Sequence, residues 1–257
     1  MNLLPPCPRA GHVRHLHARP LARRLTGVAL LLGGVATAAQ AGRPLATDDA
    51  AAAEAGACQV EAWQDRSRDA REIVLAPACG LAGGVELGSE LSLARPAAGM
   101  GGAGTVSLKW APPQARLDTS AGELAFGLKL AADFERPTGS SVRQAGSSAL
   151  VLATLRLAPD LALHANAGLG QVRPPAAAGA STWLGRGAVA WTPSPDWLAF
   201  AEVLGNGRAA AFGGTVLSAG ARRWVIPERV GLDLTLARER GGPRVVGVGL
   251  GWYGIGL

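Results

Sequence analysis

The feature that most constrains the fold of this chain is a regular alternation of apolar residues with polar or small ones. From Leu124 to Leu130 every second residue is apolar, and Lys129 lies in the opposite register. A second run, from Val230 to Leu236, has the same pattern. Because successive side chains of an extended strand point to opposite faces, this period of two predicts strands with one apolar and one polar face. The predicted fold class is all-β.

Turn residues between the alternating runs divide the chain into about twelve predicted strands. They are 58–67, 70–79, 84–95, 104–111, 122–135, 147–158, 161–172, 181–192, 197–205, 211–224, 229–238 and 244–257. Most reach the ~9 to 11 residues with which a tilted strand crosses a bilayer, and an even strand number is typical of bacterial outer-membrane barrels. We therefore predict an antiparallel transmembrane β-barrel of about 12 strands over residues 58–257, preceded by a periplasmic N-terminal segment, 42–57.

The lengths of the connections predict a barrel with two unlike ends, because outer-membrane barrels alternate short periplasmic turns with longer external loops. The second, sixth, eighth and tenth connections are short, as this rule requires: 80–84, 159–160, 193–196 and 227–228. The third, fifth and seventh, around Met100, Thr138 and Ala177, are longer and rich in Gly, Pro and Ser. The fourth, 112–121, is too long for the rule, and the first, ninth and eleventh are short for external loops.

Residues 1–41 have the three parts of a secretory signal peptide. A basic stretch is followed by an apolar core that begins at Leu25, and then by the small residues Ala39 and Ala41. The apolar run is shorter than the ~20 residues of a membrane span, so we expect cleavage after Ala41 rather than anchoring. An adjacent arginine pair lacks most of the twin-arginine motif, which favours ordinary Sec export.

The net charge of +6 belongs mainly to this leader. Five arginines and no acidic residue lie in the first 41 positions. Removing these five from the 25 basic residues leaves 20, against 19 acidic residues. The mature chain is therefore nearly neutral, which argues against nucleic acid as a partner.

Two cysteines, Cys58 and Cys79, remain when the leader and its Cys7 are removed. If Arg68 and Asp69 form a two-residue turn between the first two strands, Cys58 lies directly opposite Cys79. We predict a disulfide between them, because the periplasm is oxidising. The alternative is two free buried thiols.

Alternation alone does not decide which face points inward, because a soluble β-sandwich buries its apolar face and a membrane barrel exposes it. The leader, the strand count and a last strand that runs to Leu257 favour the barrel. Seven tryptophans lie mainly near predicted strand ends, where interfacial girdles form, and the alternative is tryptophans in a core. They are Trp63, Trp110, Trp183, Trp191, Trp197, Trp224 and Trp252.

The polar face of such a barrel encloses a lumen. We predict that twelve residues line it: Glu61, Glu86, Glu90, Lys109, Lys129, Asp133, Arg156, His164, Arg186, Glu202, Arg222 and Asp233. Six acids against five bases are nearly balanced, so the charges can pair with one another. Twelve strands lie between the filled barrels of ~8 and the open porins of ~16, so both a narrow channel and a plugged barrel are compatible with the sequence.

The sequence contains no recognisable catalytic or metal site. His164, the one histidine after the leader, lies beside Asn166 in a predicted strand, and such a histidine is more often a hydrogen-bonded lumen residue than a catalyst. There is no G-x-S-x-G motif, and the two cysteines lack zinc-ligand spacing. We predict no enzymatic activity, no metal and no cofactor.

The expected partners are outer-membrane lipid, lipopolysaccharide and, during biogenesis, the barrel-assembly machinery. Arg238, Arg240 and Arg244 flank the last predicted external loop and are candidates for contact with anionic lipopolysaccharide. The alternative for these arginines is an ordinary solvated turn. The sequence specifies no oligomeric state.

The residues from Arg43 to Ala50 form the string R-P-L-A-T-D-D-A, and Gln59-Val60-Glu61 follow at the first strand. This opening resembles that of a family of proteobacterial outer-membrane proteins described as phenol meta-pathway proteins or transporters. The resemblance covers about twenty residues and implies an outer-membrane barrel that transports small, in part aromatic, compounds. Leu257 departs from the terminal aromatic residue that such barrels prefer. For Asp48 and Asp49, the lumen, its periplasmic mouth and a solvated turn are all open.

We thus expect an exported, porin-like outer-membrane barrel that forms a narrow channel or transporter for small molecules. Two alternatives belong to other classes. One is an outer-membrane lipid-modifying enzyme that uses His164, and the other is a soluble periplasmic β-protein that binds a ligand.

Overall fold

The computed structural model describes residues 44–96, 101–174, 178–208 and 214–256. The predicted signal peptide, 1–41, lies outside these residues. The described strands are β1 (Ala57–Arg66), β2 (Ala70–Leu81), β3 (Val85–Pro96), β4 (Gly101–Trp110), β5 (Arg116–Thr119), β6 (Gly122–Arg136), β7 (Arg143–Ala158), β8 (Leu161–Val172), β9 (Ala180–Ser194), β10 (Trp197–Arg208), β11 (Thr215–Ile226), β12 (Val230–Glu239) and β13 (Arg244–Gly256). Within the described residues there is no helix long and apolar enough to cross a membrane.

Antiparallel pairing joins neighbouring strands along the chain, and two further pairings close the sheet. β1 pairs with β13, and β4 pairs with β6. Twelve strands therefore form a closed ring, and β5 is a short addition that pairs with the start of β6. Closure leaves the described ring of twelve strands without an unpaired edge, which a bilayer requires because lipid offers no hydrogen-bond partners. The predicted all-β, 12-stranded antiparallel barrel is confirmed.

The bounds of the ring strands lie within three residues of the predicted ones except at the starts of β7 and β11, and β11 begins at Thr215 instead of residue 211. The fourth connection, too long for a plain turn, contains β5, and Thr119 Oγ1 donates to the Gly122 carbonyl at 2.7 Å in the hairpin between β5 and β6. β7 begins at Arg143, four residues before the predicted start. There, Arg143 forms an ion pair with Glu135 of β6, which extends the pairing of these two strands.

The barrel has two ends, which we name by their connections. The terminal end contains the first residue of β1 and the last of β13, together with the connections 82–84, 111–121, 159–160, 195–196 and 227–229. At the loop end the chain passes from β1 to β2, from β3 to β4, from β6 to β7, from β8 to β9, from β10 to β11 and from β12 to β13. Four of the five terminal-end connections have two or three residues, as predicted, and the fourth connection is the long exception. At the loop end, the connection 67–69 is equally short, so the alternation of connection lengths fails there too.

Apolar side chains point out of the barrel and polar side chains point in. On β3, Leu91 and Leu93 are each 60% exposed. Glu90, which precedes Leu91, and Ser92, which lies between the two leucines, are buried. β12 has the same pattern, with Leu232, Leu234 and Leu236 exposed and Asp233 buried. This inside-out arrangement places the polar side chains in an enclosed interior and leaves an apolar outer belt for lipid.

The predicted register of the first hairpin is confirmed. Cys58 lies opposite Cys79 and forms a disulfide with it.

The interpretation of the tryptophans as interfacial girdles is wrong for two of them, which point inward. Trp63 is buried between Glu61 and Asp65 on the inner face, and Trp224 contacts the rings and guanidinium of an interior cluster described below. Trp110, Trp183, Trp191, Trp197 and Trp252 are exposed on the outer face.

Candidate functional site

The chain that precedes β1 enters the barrel and lies against its inner face. We call residues 44–54 the inner segment. Asp48 is fully buried, and Leu45, Thr47 and Ala50 are also buried. The sequence suggested a periplasmic segment here, and the described part of it instead packs against interior side chains of β3, β4 and β6–β10.

Side chains of the barrel wall satisfy the backbone of the inner segment. The Glu202 carboxylate accepts hydrogen bonds from Ala46 N at 2.9 Å, from Thr47 N at 2.9 Å and from Thr47 Oγ1 at 3.0 Å. The Asn166 amide accepts from Asp48 N and donates to the Asp48 carbonyl, both at 2.8 Å. A buried backbone without secondary structure must find such partners, so these wall residues fix the path of the segment.

Three further contacts continue the pattern along the segment. Ala50 N donates to Thr154 Oγ1 at 2.8 Å, and Ala53 N donates to Glu86 Oε2 at 2.8 Å. Arg186 Nη1 donates to the Ala46 carbonyl at 3.0 Å. Consequently, four wall residues contact the segment and do not face an open lumen. Three of them are among the predicted lumen residues, and the fourth is the asparagine predicted beside His164. The four residues are Glu86, Asn166, Arg186 and Glu202.

A cluster of charges surrounds Asp48 and extends toward the terminal end. Lys129 Nζ lies 3.0 Å from Asp48 Oδ2, and Lys109 Nζ lies 3.9 Å from Asp48 Oδ1. Lys109 also lies 3.5 Å from Asp49 and 3.4 Å from Glu86. Both lysines are buried, and a buried cation is costly unless an opposite charge and hydrogen bonds compensate it. The inner segment supplies the carboxylate that pairs with Lys129.

Two groups of apolar contacts also hold the inner segment against the wall. Ala50 packs in a cluster with Ala125, Leu150, Leu152 and Leu184, all buried. Leu45 packs with Ala188 and Phe200, and Leu198 lies against them. The inner face is therefore not uniformly polar, and its apolar positions coincide with the two apolar residues that the segment inserts.

A second charged cluster joins side chains of the wall to one another. Arg222 Nε and Nη2 donate to the two oxygens of Asp233, each at 2.7 Å, and Arg222 Nη2 lies 3.7 Å from Glu61. Tyr253 donates a hydrogen bond to Glu61. The Arg222 guanidinium carbon lies 4.9 Å from the Trp224 ring and 4.8 Å from the Tyr253 ring. These bidentate and cation–π contacts join β1, β11, β12 and β13.

The remaining predicted lumen residues occupy three places. Glu90 and Asp133 belong to one cross-strand row with Thr105, which donates to Asp133 at 2.9 Å, nearer the loop end. His164 is half-buried and its Nδ1 lies 3.0 Å from Thr154 Oγ1. Arg156 is exposed close to the terminal end of β7. Sequence reasoning missed Thr154 and Tyr253, and the alternation that placed their neighbours on the inner face also applies to them.

A cavity of about 330 Å³ lies between the inner segment and the wall, and its lining is mixed. Asp49, Glu61, Glu86, Lys109, His164 and Arg222 form its polar side, and Leu45, Ala190 and Leu198 are among its apolar residues. Among the residues that the structure describes, no group of His, Cys, Asp and Glu side chains is arranged to hold a metal ion.

Comparisons with known proteins agree with this architecture. A family model described as Uncharacterised conserved protein UCP029691 matches residues 27–252. No curated protein matches the chain. Among solved structures, a KdgM porin is similar at 10% sequence identity and a TM-score of 0.56, over 76% of this chain and 98% of that chain.

Two other solved structures give the same result. KdgM porin in complex with disordered oligogalacturonate has a TM-score of 0.57 at 10% identity, and a NanC porin has a TM-score of 0.51 at 9% identity. Each covers 76% of this chain and 98% of its own chain. Likeness at this identity establishes the fold, which is that of outer-membrane porins. The barrel part of the family resemblance is thereby confirmed, whereas its phenol meta-pathway part stays a prediction.

Proposed function

We propose a function for this chain, a member of the family described as Uncharacterised conserved protein UCP029691, and we base it on the way in which the inner segment fills the barrel. The protein is an outer-membrane channel for small solutes, and the inner segment is a removable plug that narrows the lumen. The observation that carries this proposal is that side chains of the wall, rather than strand pairing, hold the segment from Ala46 to Ala53.

Release of the plug leaves the wall intact. The ring closes through β1 and β13, and neither this pairing nor any other strand pairing of the ring includes residues 44–54. A segment that filled the barrel only for structural reasons has less need of so many ionic contacts, because apolar residues of similar volume stabilise an interior at least as well. Ionic and hydrogen-bonded contacts can instead be exchanged with water when the segment leaves.

The charges of the lumen favour small, weakly charged solutes over polyanions. Lys109, Lys129 and Arg222 each pair with carboxylates of the chain itself. One similar porin was solved in complex with oligogalacturonate, but in the described residues of this barrel the buried lumen cations do not form an open basic track. The cavity of about 330 Å³ has both polar and apolar walls, which suits a small amphipathic molecule, such as the aromatic compounds suggested by the resemblance.

The two alternatives have less support. His164 contacts Thr154, and the Thr154 hydroxyl also accepts a hydrogen bond from Ala50 of the inner segment, so this pair lies on the inner face and the barrel wall separates it from lipid. A soluble β-protein would expose to water the outer leucines of β3 and β12, a cost of ~1.5–3 kcal/mol for each large apolar side chain.

Planar-bilayer recording of the refolded mature chain tests the proposal. We compare the natural sequence with Asp48→Lys, which places a third cation beside Lys109 and Lys129 and expels the plug. The expected result is small unitary steps for the natural sequence and severalfold larger steps for the variant. Asp69→Lys, an exposed loop position, is the matched control and should behave like the natural protein. The absence of unitary steps from the natural chain and the variant alike, at every voltage, rules out a channel.

Liposome swelling distinguishes the solute classes. We expect the natural chain, in which Asp48 pairs with the lumen lysines, to admit phenol-sized neutral aromatic solutes and small sugars faster than it admits oligogalacturonate. Faster entry of the polyanion contradicts the assignment of solute class but leaves the channel itself standing.

A further inference from the structure

Five neighbouring strands end in an outward arginine at the loop end of the barrel. These arginines, which we call the arginine arc, are Arg238 on β12, Arg244 on β13, Arg66 on β1, Arg71 on β2 and Arg95 on β3. All five are exposed. The sequence suggested only the first two, because they flank one loop, whereas the barrel topology makes them part of a continuous surface.

The strand register sets these like charges against one another. Arg66 lies directly opposite Arg71, Arg71 opposite Arg95, and Arg238 opposite Arg244. Like charges in directly opposite positions destabilise a sheet, and the hydrogen bond that Arg71 donates to the Gln64 amide oxygen leaves both facing cations without an opposite charge. Within the described residues, no ion pair joins any of the five to a carboxylate.

The arc lies at the edge of the apolar belt. On each of these strands, the next residue of the outer face lies two positions nearer the middle. These residues are Leu236, Val246, Gln64, Ile73 and Leu93. Four of these five are exposed and apolar. A guanidinium one side-chain step beyond the apolar belt is at the depth of lipid headgroups, which it can reach by extending along its own alkyl stem.

The opposite side of the barrel differs at the same level. Gln171 on β8 and Ser181 on β9 lie directly opposite each other, and Thr215 begins β11. These positions are uncharged. Exposed arginines also occur on this side, with Arg136 at the end of β6 and Arg173 just after β8, but there they are not on consecutive strands as they are in the arc.

An apolar groove lies next to the arc on the same outer surface. It has a volume of about 450 Å³ and lies above Gly102 and Gly104 of β4, where side chains are missing. Leu91, Leu93, Val106 and Phe134 form its sides, and Arg136 of β6 lies at its border opposite the arc. A groove of this composition fits an acyl chain, and arginines on both sides fit the anionic headgroup of the same lipid.

We propose that the arginine arc and this groove bind a phosphorylated glycolipid of the outer leaflet, such as the lipid A part of lipopolysaccharide. Guanidinium groups match phosphate geometry with paired N–H donors, and several phosphate oxygens can neutralise the facing pairs Arg66–Arg71 and Arg71–Arg95 together. The loop end is then external. The proposal does not depend on the channel, because it concerns the outer face only.

Native mass spectrometry of the refolded mature chain in a neutral detergent, titrated with lipid A, tests this site. The test variant is Arg66→Gln/Arg71→Gln/Arg95→Gln. Its matched control is Arg116→Gln/Arg223→Gln/Arg229→Gln, which removes the same charge from exposed positions near the terminal end. We expect the test variant to bind lipid A roughly 100-fold more weakly than the natural chain, since each arginine at an anionic lipid surface contributes about fivefold. The control should bind within about twofold of the natural chain.

Three comparisons can overturn the proposal. Equal loss in the test variant and the control means that only net charge matters. Equal binding of lipid A and of enzymatically dephosphorylated lipid A means that the site does not recognise the phosphate groups. If inorganic phosphate at equal concentration displaces all bound lipid A, the site recognises a free anion rather than a lipid. Filling the groove with Gly104→Leu while the arginines are kept is expected to weaken lipid A binding about tenfold without affecting inorganic phosphate.

Discussion

Charges on the inner and outer faces of this barrel follow opposite rules. Inside, Lys129 pairs with Asp48, and Arg222 pairs with Asp233, both at 3.0 Å or less. Outside, Arg66 faces Arg71 and Arg71 faces Arg95 in the strand register. The interior is therefore neutralised within the chain, whereas the outer arc needs charge from elsewhere.

The difference follows from what each face can contact. An enclosed side chain can reach only the chain itself, so a charge there must have a partner in the fold or stay costly. A side chain at the lipid boundary has headgroups and water as partners, and its own fold need not compensate it. If this explanation is correct, removal of one charge should destabilise the interior and should be neutral or favourable on the outer arc.

The largest expected effect comes from Asp48→Asn. It leaves Lys129 buried without its closest carboxylate, which for a buried ion pair costs ~3–5 kcal/mol. The barrel can avoid this cost by releasing the inner segment and admitting water to the lysine. We expect faster hydrogen exchange at the amides of residues 46–53, measured by mass spectrometry, and unchanged exchange in the strands.

The double variant Asp48→Asn/Lys129→Met is the control for this experiment. It removes both charges and keeps a side chain of similar length, so protection of the segment should largely return. Equal exchange in the natural chain and Asp48→Asn contradicts the role of the ion pair in holding the plug.

A smaller loss is expected from Glu202→Gln. The carboxylate accepts hydrogen bonds from Ala46, Thr47 N and Thr47 Oγ1, whereas the amide keeps one acceptor and adds a donor that faces these N–H groups. Hydrogen bonds to charged groups contribute ~1.5–3 kcal/mol, so exchange should accelerate at residues 46 and 47 first. Uniform acceleration from 45 to 54 contradicts this local anchor.

The exit of the inner segment offers a steric test. A Cβ at Gly80 would lie 2.2 Å from the carbonyl oxygens of Ala53 and Glu54, which belong to backbone and cannot swing away. We expect Gly80→Ala to displace these residues at a cost of ~1–3 kcal/mol and to increase single-channel current. Gly185→Ala is the matched control, because a Cβ at this position would meet no atom within 4 Å. A Gly80→Ala current equal to that of the control means that the exit does not restrict the lumen.

The sequence predicted the wall well and its contents poorly. Alternation is local, so it located the twelve strands of the ring, the inward Glu61 and Asp233, and the register that joins Cys58 to Cys79. The contact between Asp48 and Lys129 spans 81 residues, and no periodic pattern encodes it. The inner path of the segment therefore had to come from the structure.

Trp63 shows a related limit. It lies close to the loop end of β1, which suggested an interfacial tryptophan, yet its odd position in the strand places it on the same face as Glu61. Parity along the strand was the better guide than distance from the strand end. The same rule identifies the arginine arc, because Arg66, Arg71 and Arg95 each continue an outward run.

The smallest expected effect gives the sharpest contrast with the interior. In a neutral detergent, Arg66→Gln/Arg71→Gln/Arg95→Gln removes two directly opposed cation pairs, each of which costs ~0.2–1 kcal/mol. We therefore expect the denaturant midpoint of the variant, followed by the mobility shift of the barrel on gels, to stay equal to that of the natural chain or to rise slightly. Added lipid A should raise the midpoint of the natural chain above that of the variant, because the ligand binds only the folded barrel. A clear fall of the midpoint in detergent alone means that the arginines stabilise the fold directly, and the distinction between the two faces then disappears.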